Sequence, residues 1–218
     1  RSTRVRSSAA SDVYKRQCYS ILMPPKKFYE NAINHLYQEE LGEIITDDKN
    51  IFEELQQLYA GNPDILSKIR FYENDAISLG TLYSFETQIQ RAISERVWMK
   101  SGAYLIIQPT EALTVIDVNS GKNTSGKNAE EYYYKINLEA AAEISRQLRL
   151  RNISGIVIVD FINMAKEEQR KELMHQFRLS LKEDPVPVRL VDITKLGLVE
   201  LTRKKERKTL LEQVAQLR

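Results

Sequence analysis

The hydrophobic and polar positions of the 218-residue chain follow two periods, one typical of amphipathic helices and one typical of strands. The longest helical pattern runs from Asn128 to Arg151, and a second amphipathic helix is predicted from Lys166 to about Lys182. Between them, the apolar run IVIVDF from Ile156 to Phe161 predicts a strand that is covered on both faces. The residues expected to face the core are Ile136, Ala140, Ile144 and Leu148 on the first helix and Leu173, Phe177 and Leu181 on the second.

Shorter segments with the same two periods complete the predicted elements. Strands are predicted at residues 43–46, 68–72, 104–107, 113–118, 185–193 and 197–201, and helices near residues 24–40, 50–59 and 82–93. The aromatic side chains of Tyr83 and Trp98 fall on the same period as their aliphatic neighbours, so we expect them in the core rather than stacked on bases. The alternation of helices and strands predicts an α/β fold.

The overall composition excludes several classes of protein. The formal net charge of +2 comes from 32 basic and 30 acidic residues, so any attraction for nucleic acid must be local. The single cysteine, Cys18, cannot form an internal disulfide, which favours a reducing, cytoplasmic setting, and the cysteine and two histidines lack the spacing of a zinc site. No apolar run approaches the roughly 20 residues needed to span a bilayer, so no membrane segment is expected.

Three polar segments are candidates for contacts with phosphate or for solvated chain. Residues 1–17 are rich in serine and arginine, which predicts a disordered or non-native leader, with a basic RNA-binding arm as the alternative. The loop SGKNTSGK, which contains Lys122, could approach phosphate, although a solvated loop explains it equally well. The run RKKERK is the stronger candidate, and its proposed RNA-binding residues are Arg203, Lys204, Lys205 and Arg207.

Two apolar strand patterns end on a carboxylate, Asp117 in TVIDVNSGK and Asp160 in IVIVDF. Desolvating an ionised side chain costs several kcal/mol, so a shared metal ion would explain both positions. Strand alternation also places Asn119 on the same face as Asp117, where its amide can orient the carboxylate or a water molecule. Carboxylates also end strands because they cap or turn the following segment, so spacing alone leaves a structural pair as the alternative.

Three longer runs of sequence carry a resemblance to a known family: SGAYLIIQPTEALTVIDVNSGK, NLEAAAEISRQLRLRNISGIVIVDFINM and KLGLVELTRKKERK. Together they resemble the catalytic region of the ribonuclease E/G family, densely from Val97 to Lys208 and more loosely from about Leu22 to Arg96. The resemblance implies a partial ribonuclease-H-like part at residues 18–100. It also implies a deoxyribonuclease-I-like catalytic subdomain at residues 101–218, with a mixed sheet flanked by helices.

What the resemblance implies for function is a magnesium-dependent endoribonuclease. It would hydrolyse single-stranded RNA to leave 5′-phosphate ends, in RNA processing and decay. Carried over position by position, Asp117 and Asp160 would hold the magnesium ion, and Asn119 would orient Asp117 and the water around it. Such a site needs only one or two carboxylates, with waters and a substrate phosphate completing the coordination. Manganese is the alternative ion, because it accepts the same ligands.

The sequence departs from the family pattern in three respects. Asn163 stands where many members have an acid, and the paired cysteines that join subunits through zinc have no counterpart, so no zinc site is expected in this fragment. Neither an S1-like RNA-binding barrel nor a 5′-end-sensing region is expected before the matching region. Two alternatives therefore remain open: a non-catalytic RNA-binding or assembly module, and a fragment that is inactive without its RNA-binding domains. A homo-oligomer is expected only for the full-length protein.

Overall fold

The computed structural model describes residues 27, 29–30, 33, 41–74, 76–121 and 129–216. The described chain is mixed α/β, which confirms the predicted class, and it divides into two compact units. The first unit ends at Leu82 and the second runs from Tyr83 to Arg218. The predicted leader at residues 1–17 lies outside the described residues, as does most of the helix predicted near residues 24–40.

The first unit contains a small parallel sheet with short helices. Its elements are β1 (Ile44–Thr46), α1 (Lys49–Leu58), α2 (Pro63–Leu66), β2 (Ile69–Phe71) and α3 (Leu79–Leu82). The strands pair in parallel, and Leu55, Ile65 and Ile69 are buried beside them. Helix α1 begins after Asp48, whose carboxylate accepts hydrogen bonds from two backbone N–H groups of the first turn. The strands and the helix predicted at residues 43–46, 50–59 and 68–72 are thus confirmed.

The second unit is built on a six-stranded mixed sheet. Its elements are α4 (Phe85–Ile93), β3 (Arg96–Trp98), β4 (Tyr104–Pro109), β5 (Leu113–Asn119), α5 (Ala129–Arg151), β6 (Gly155–Asp160), α6 (Glu167–Leu181), β7 (Val188–Ile193), β8 (Val199–Arg203) and α7 (Leu210–Gln216). The strand order is β3-β4-β5-β6-β8-β7. Strands β5 and β6 pair in parallel and the other neighbours are antiparallel. Helix α5 connects the parallel pair, because parallel strands need a long crossover.

Helices α5 and α6 cover one face of this sheet. All seven apolar residues predicted to face the core from these helices are buried. They pack against the alternate strand residues that point to the same side, including Ile116, Val157 and Val159. Burying a leucine, isoleucine or phenylalanine side chain contributes about 1.5–3 kcal/mol, so this layer stabilises the unit.

The other face of the sheet is open, which corrects the prediction that the IVIVDF strand is covered on both sides. Ile156 is 48% exposed and Ile158 is only half-buried, whereas their neighbours Val157 and Val159 are fully buried. A continuous apolar run cannot distinguish a strand with two covered faces from one that carries apolar residues on an open face. The open face is therefore a large surface with both apolar and polar side chains.

Residues Ser101 and Gly102 lie inside the second unit. Strand β3 lies before that point, yet it pairs with β4 and so belongs to the sheet of the second unit. Gly102 lies in the tight turn between these strands with a φ of +84°, a conformation that suits glycine. The glycine marks a hairpin turn inside the unit, and the unit begins earlier, at Tyr83.

A polar network ties α5 to the end of α4. The buried Arg151 guanidinium donates to Gln147 Oε1 at 2.6 Å and to the Ser94 carbonyl at 2.7 Å. Further along α5, the Glu143 carboxylate accepts hydrogen bonds from Arg146 and Gln147. Burial raises the pKa of Glu143, but these hydrogen bonds outweigh burial and hold the pKa below its ordinary value of 4.5.

Candidate active site

The carboxylates of Asp117 and Asp160 lie at the same level of two adjacent strands. The two residues are direct partners in the parallel register of β5 and β6. Neighbouring strands are about 4.8 Å apart, and register partners project to the same face, so the two side chains share one position at the strand ends. Both residues are exposed on the open face. The sheet thus brings together the two carboxylates that the sequence analysis singled out.

Asn119 adds an amide to this pair. Its Nδ2 donates a hydrogen bond of 2.8 Å to Asp117 Oδ2, because strand alternation places both side chains on the open face. The hydrogen bond restricts rotation of the Asp117 carboxylate and leaves its second oxygen free for another ligand. The hydrogen bond thus joins the Asn119 amide to one carboxylate of the pair.

The donor set suits a hard divalent cation. Among the ion pairs of the described residues, none involves Asp117 or Asp160, so no described cation neutralises these two adjacent negative charges. The described residues contain no group of three or more His, Cys, Asp and Glu side chains arranged to hold a metal. Two carboxylates with an amide match the requirement of Mg²⁺, which takes one or two carboxylates and keeps several waters.

Asn137 fixes the position of the chain directly after Asp160, a role that the sequence did not reveal. Its fully buried side chain donates to the Ile162 carbonyl at 2.7 Å and accepts from the Ile162 N–H at 3.0 Å. Helix α5 therefore binds both the backbone N–H and the carbonyl of Ile162. A polar residue in the apolar stripe of α5 was the available signal, because a buried amide needs partners.

Glu139, two residues along the same helix, fixes the turn between β3 and β4. Its Oε1 accepts from the backbone N–H of Lys100 at 2.7 Å and from that of Ser101 at 3.3 Å. This turn lies at the carboxylate end of the sheet, because the first residue of β4 pairs with Asn119. Glu139 therefore anchors the turn between β3 and β4.

Gly121 allows the chain leaving β5 to pass close to the same turn. Its φ is +69°, and a Cβ at this position would lie 2.4 Å from the backbone oxygen of Gly102. Both the left-handed conformation and the close approach require glycine. The segment after Asn119 is thus directed by a backbone contact.

Arg203, one of the proposed RNA-binding residues, is buried. Its side chain is 3% exposed, and its Nε donates to Asp184 Oδ2 at 2.8 Å in an ion pair whose aspartate side chain is 1% exposed. Its Nη1 donates to Asn152 Oδ1 at 2.8 Å and to the Ile153 carbonyl at 3.1 Å. Protein groups thus surround this guanidinium, so it stabilises the fold and is shielded from a phosphate in solution.

The other residues of the basic block are exposed but lie far from the carboxylates. Lys204, Lys205 and Arg207 follow β8, whose last residue pairs with Gly155 at the beginning of β6. Asp160 is at the other end of β6, and five residues of strand span about 17 Å. The basic block and the carboxylate pair therefore occupy opposite ends of the sheet, and Lys122 lies outside the described residues.

Two lysines that the sequence analysis did not select lie at the carboxylate end. Lys100 is exposed in the turn between β3 and β4, and Lys195 is exposed in the turn between β7 and β8. The second turn reaches this end because Val199, which follows it, pairs with Val159, next to Asp160. Their sequence neighbourhoods carry no cluster of charge, so only the topology could have identified them.

The chain thus has a mixed α/β fold with two adjacent carboxylates at one end of the sheet, an arrangement that could hold a divalent cation. Comparison with known families identifies the family of the chain. The sequence model of the Ribonuclease E/G family matches residues 3–206, and the chain belongs to this family. The match also includes most of the segment predicted to be a leader.

Individual relatives agree with the family assignment. The chain is 38% identical over 181 residues to ribonuclease G of Salmonella typhimurium, covering 83% of this chain and 37% of that protein. It is 36% identical over 176 residues to ribonuclease E of Escherichia coli, covering 80% of this chain and 16% of that protein. For ribonuclease E of Synechocystis the identity is 37% over 194 residues, covering 87% of this chain and 28% of that protein.

The chain therefore spans well under half the length of these relatives. In the part of the chain that the structure describes, no helix is both long and apolar enough to cross a membrane.

Proposed function

We propose that the chain carries the catalytic centre of a magnesium-dependent endoribonuclease that hydrolyses single-stranded RNA and leaves 5′-phosphate ends. The observation that carries this proposal is the register of Asp117 with Asp160 on the open face, where no described cation neutralises them. Membership of the Ribonuclease E/G family supports RNA as the substrate. The cytoplasm is the proposed location.

Each residue of the site has a defined task in this proposal. Asp117 and Asp160 would hold the ion through carboxylate oxygens, and the Asn119 amide would keep the Asp117 carboxylate in the orientation that its hydrogen bond sets. Magnesium bound there would polarise the scissile phosphate and lower the pKa of the attacking water. Asn137 and Glu139 would act as positioning residues, because they hold the backbone on either side of the carboxylates. Manganese is the alternative ion.

The subdomain identities belong to the same proposal. Residues 101–218 would form the deoxyribonuclease-I-like catalytic subdomain, and residues 18–100 would form part of the ribonuclease-H-like subdomain. A six-stranded mixed sheet with helices on one face supports the first of these assignments. Homo-oligomerisation is proposed only for a longer protein that contains this segment.

The direct test is to incubate the purified chain with a short single-stranded RNA, with and without magnesium. Asp117→Asn and Asp160→Asn remove one negative charge each but keep the size of the side chain, so both should abolish magnesium-dependent cleavage while circular dichroism stays unchanged. Glu111→Gln is the matched control, since Glu111 is an exposed carboxylate in the turn at the far end of β5. Mapping the product ends with a 5′-phosphate-dependent exonuclease tests the proposed chemistry.

Normal cleavage by either aspartate variant would defeat the site assignment. Loss of activity in the Glu111 variant as well would point to a general electrostatic effect. If the unmodified chain binds RNA but never cleaves it with magnesium, the catalytic proposal fails for this chain.

A second candidate, a non-catalytic RNA-binding module, is favoured by one observation. Lys204, Lys205 and Arg207 are exposed at the end of the sheet that lacks the carboxylate pair, so they could bind phosphate independently of cleavage. Neutralising these three residues should lower the slope of binding against salt concentration by about 2 for a single strand. An unchanged slope would exclude a role for the block in RNA binding.

A further inference from the structure

Three side chains form a compact aromatic and cationic cluster at the edge of the sheet. The rings of Trp98 and Tyr104 have their centroids 5.1 Å apart and are tilted by 56°. The Arg96 guanidinium carbon lies 4.6 Å from the centroid of the Tyr104 ring and 5.6 Å from that of the Trp98 ring. Both distances are within the range of a cation–π interaction. Arg96 therefore contacts both rings.

The indole of Trp98 is exposed in this cluster, contrary to the prediction that it belongs to the core. Trp98 is 62% exposed, and Tyr83, the other aromatic residue of that prediction, is also exposed. Trp98 and Arg96 are two residues apart on β3, so both project to the open face while Val97 between them is half-buried. The helical period that grouped Trp98 with aliphatic residues does not apply, since a strand begins at Arg96. An exposed indole with a cation beside it is a favourable surface for a planar π system.

The register places this cluster beside the carboxylates on the same face. Trp98 pairs with Tyr104, and Tyr104 pairs with Asn119, so these three residues form one row across β3, β4 and β5. The next row contains Arg96 on β3, Ile106 on β4 and Asp117 on β5. Asp160 continues this row on β6. Two strand spacings, about 10 Å, separate Trp98 from Asn119. This distance is within reach of a nucleotide next to a phosphate held at the carboxylates.

We propose that Trp98, supported by Tyr104 and Arg96, is a base-stacking platform for a nucleotide of single-stranded RNA adjacent to the scissile phosphate. The indole would stack on the base, and Arg96 would add a cation–π contact or approach the neighbouring phosphate. Stacking tolerates any base, because every base has a π face, so the platform would select unpaired RNA rather than a particular sequence. The inference rests on the proposed function, because it takes RNA as the substrate.

RNA explains this surface better than a protein partner does. A base and its phosphate need a flat aromatic surface with a cation beside it, and Trp98 and Arg96 supply both on one strand. A stable protein interface would need a larger apolar area, yet the polar residues Gln108, Asp117 and Thr202 share the face, each of them exposed. A second copy of the chain covering Trp98 is the competing outcome of the test.

Trp98 is the only tryptophan in the chain, so its fluorescence reports directly on the platform. The full chain carrying Asp117→Asn, which leaves the platform in place and prevents cleavage in our proposal, is titrated with a short oligouridylate. We expect saturable quenching of the tryptophan emission. An oligomer of the same length with abasic riboses, and a base-paired duplex, should quench little, because neither offers an unpaired base.

Equal quenching by the abasic oligomer would overturn the proposal, since it would show a phosphate effect. The proposal would also be overturned if the anisotropy of a labelled oligomer showed RNA binding while the tryptophan emission stayed unchanged. An absence of RNA binding would overturn it as well. A change of emission with protein concentration alone would indicate that a second copy covers Trp98, and it would also overturn the proposal.

Substitutions test the energetic contribution of the platform. Trp98→Ala should weaken binding of the labelled oligouridylate about 5- to 100-fold, whereas Trp98→Phe should retain most of the affinity. Leu179→Ala is the matched control, because Leu179 is an exposed apolar residue on α6, on the other side of the sheet. Equal affinities of the Trp98→Ala and Leu179→Ala variants would refute the platform.

Failure of this inference and failure of the proposed function give different results. If the platform is correct and the nuclease assignment is wrong, oligouridylate quenches Trp98 but the unmodified chain does not cleave RNA with magnesium. If the nuclease assignment is correct and the platform is wrong, cleavage depends on the two aspartates while Trp98→Ala leaves the KM for short RNA unchanged.

Discussion

Replacing Asn137 by alanine removes the only side chain in the described residues that binds both polar groups of the Ile162 peptide position. Asn137 is fully buried, and Ile162 lies two residues after Asp160. The substitution therefore releases the backbone that follows one carboxylate without touching either carboxylate. Its effects should appear both in stability and in the metal requirement of the site.

The structure sets the size of both effects. Each of the two hydrogen bonds contributes about 1 kcal/mol, and a backbone group left without a partner adds about 1–3 kcal/mol unless water replaces the amide. We expect the free energy of unfolding of the second unit to fall by about 2–4 kcal/mol. Removing a group that orients a metal ligand typically weakens metal binding about 10- to 100-fold. The magnesium concentration for half-maximal cleavage should rise by that factor.

Urea unfolding and RNA cleavage over a magnesium titration measure the two effects. Ser145→Ala is the matched control, because Ser145 is also a buried polar residue of α5 but donates only to the carbonyl of Ala141 in its own helix. It should lose about 1 kcal/mol or less and keep the normal magnesium requirement. An Asn137→Ala variant that is destabilised yet needs no more magnesium would refute the positioning role.

Three further substitutions test the backbone and charge arguments. Gly121→Ala should lower the stability of the second unit by about 2 kcal/mol or more in thermal unfolding, because of its positive φ and the close backbone oxygen. Gly155→Ala, in the same unit, has a similar φ of +86° but open space, so it should lower the stability by only about 1 kcal/mol. Similar effects at the two glycines would contradict the contact. Asp184→Ala leaves the buried Arg203 guanidinium without its ion pair, so the free energy of unfolding in urea should fall by about 3–5 kcal/mol. Glu206→Ala breaks an exposed ion pair and should lower the free energy of unfolding by at most about 1 kcal/mol. Equal losses in the two variants would argue against the burial of the Arg203 ion pair. The hydrogen bonds that lower the pKa of Glu143 stabilise the fold at pH values above 4.5, its ordinary pKa, and this contribution is lost as the pH falls through the folded pKa. Glu143→Gln should therefore flatten the acid limb of a stability–pH curve by about 1 kcal/mol or less. Parallel acid limbs for the variant and the unmodified chain would refute this argument.

Local patterns were sufficient to predict most elements of the second unit. The helical stripe that contains Ile136 and Leu148 is determined by a 3.6-residue period that only a helix can bury, and the structure has α5 at those residues. Local signals also placed a carboxylate near the end of each of two strands, although β5 continues to Asn119 and the register of Asp117 with Asp160 is set by the pairing of β5 with β6. What the sequence could not supply was which face of the sheet the helices cover, and therefore that Ile156 is exposed.

Residues that act through tertiary partners were missed or misassigned for a common reason. Arg203 belongs to a run of five basic residues among six, a pattern that indicates phosphate binding, but alternation along β8 turns its side chain to the covered face. There it needs Asp184, which is nineteen residues away in sequence. Trp98 was misassigned in the opposite direction, because a helical period was extended past the end of α4. Burial is set by contacts between distant segments, which a single-sequence pattern does not contain.

Helix α5 supports the backbone at the carboxylate end of the sheet. It connects the parallel strands β5 and β6, so it must cross the sheet, and its buried face must pack on the strands that carry Asp117 and Asp160. The two polar residues Asn137 and Glu139 on this helix then hold the chain after β6 and the turn before β4. Two adjacent carboxylates repel each other, and a scaffold that holds the backbone on both sides keeps them together at the cost of that repulsion. A divalent cation would relieve the repulsion. The same helix thus links the fold of the second unit to the chemistry proposed for it.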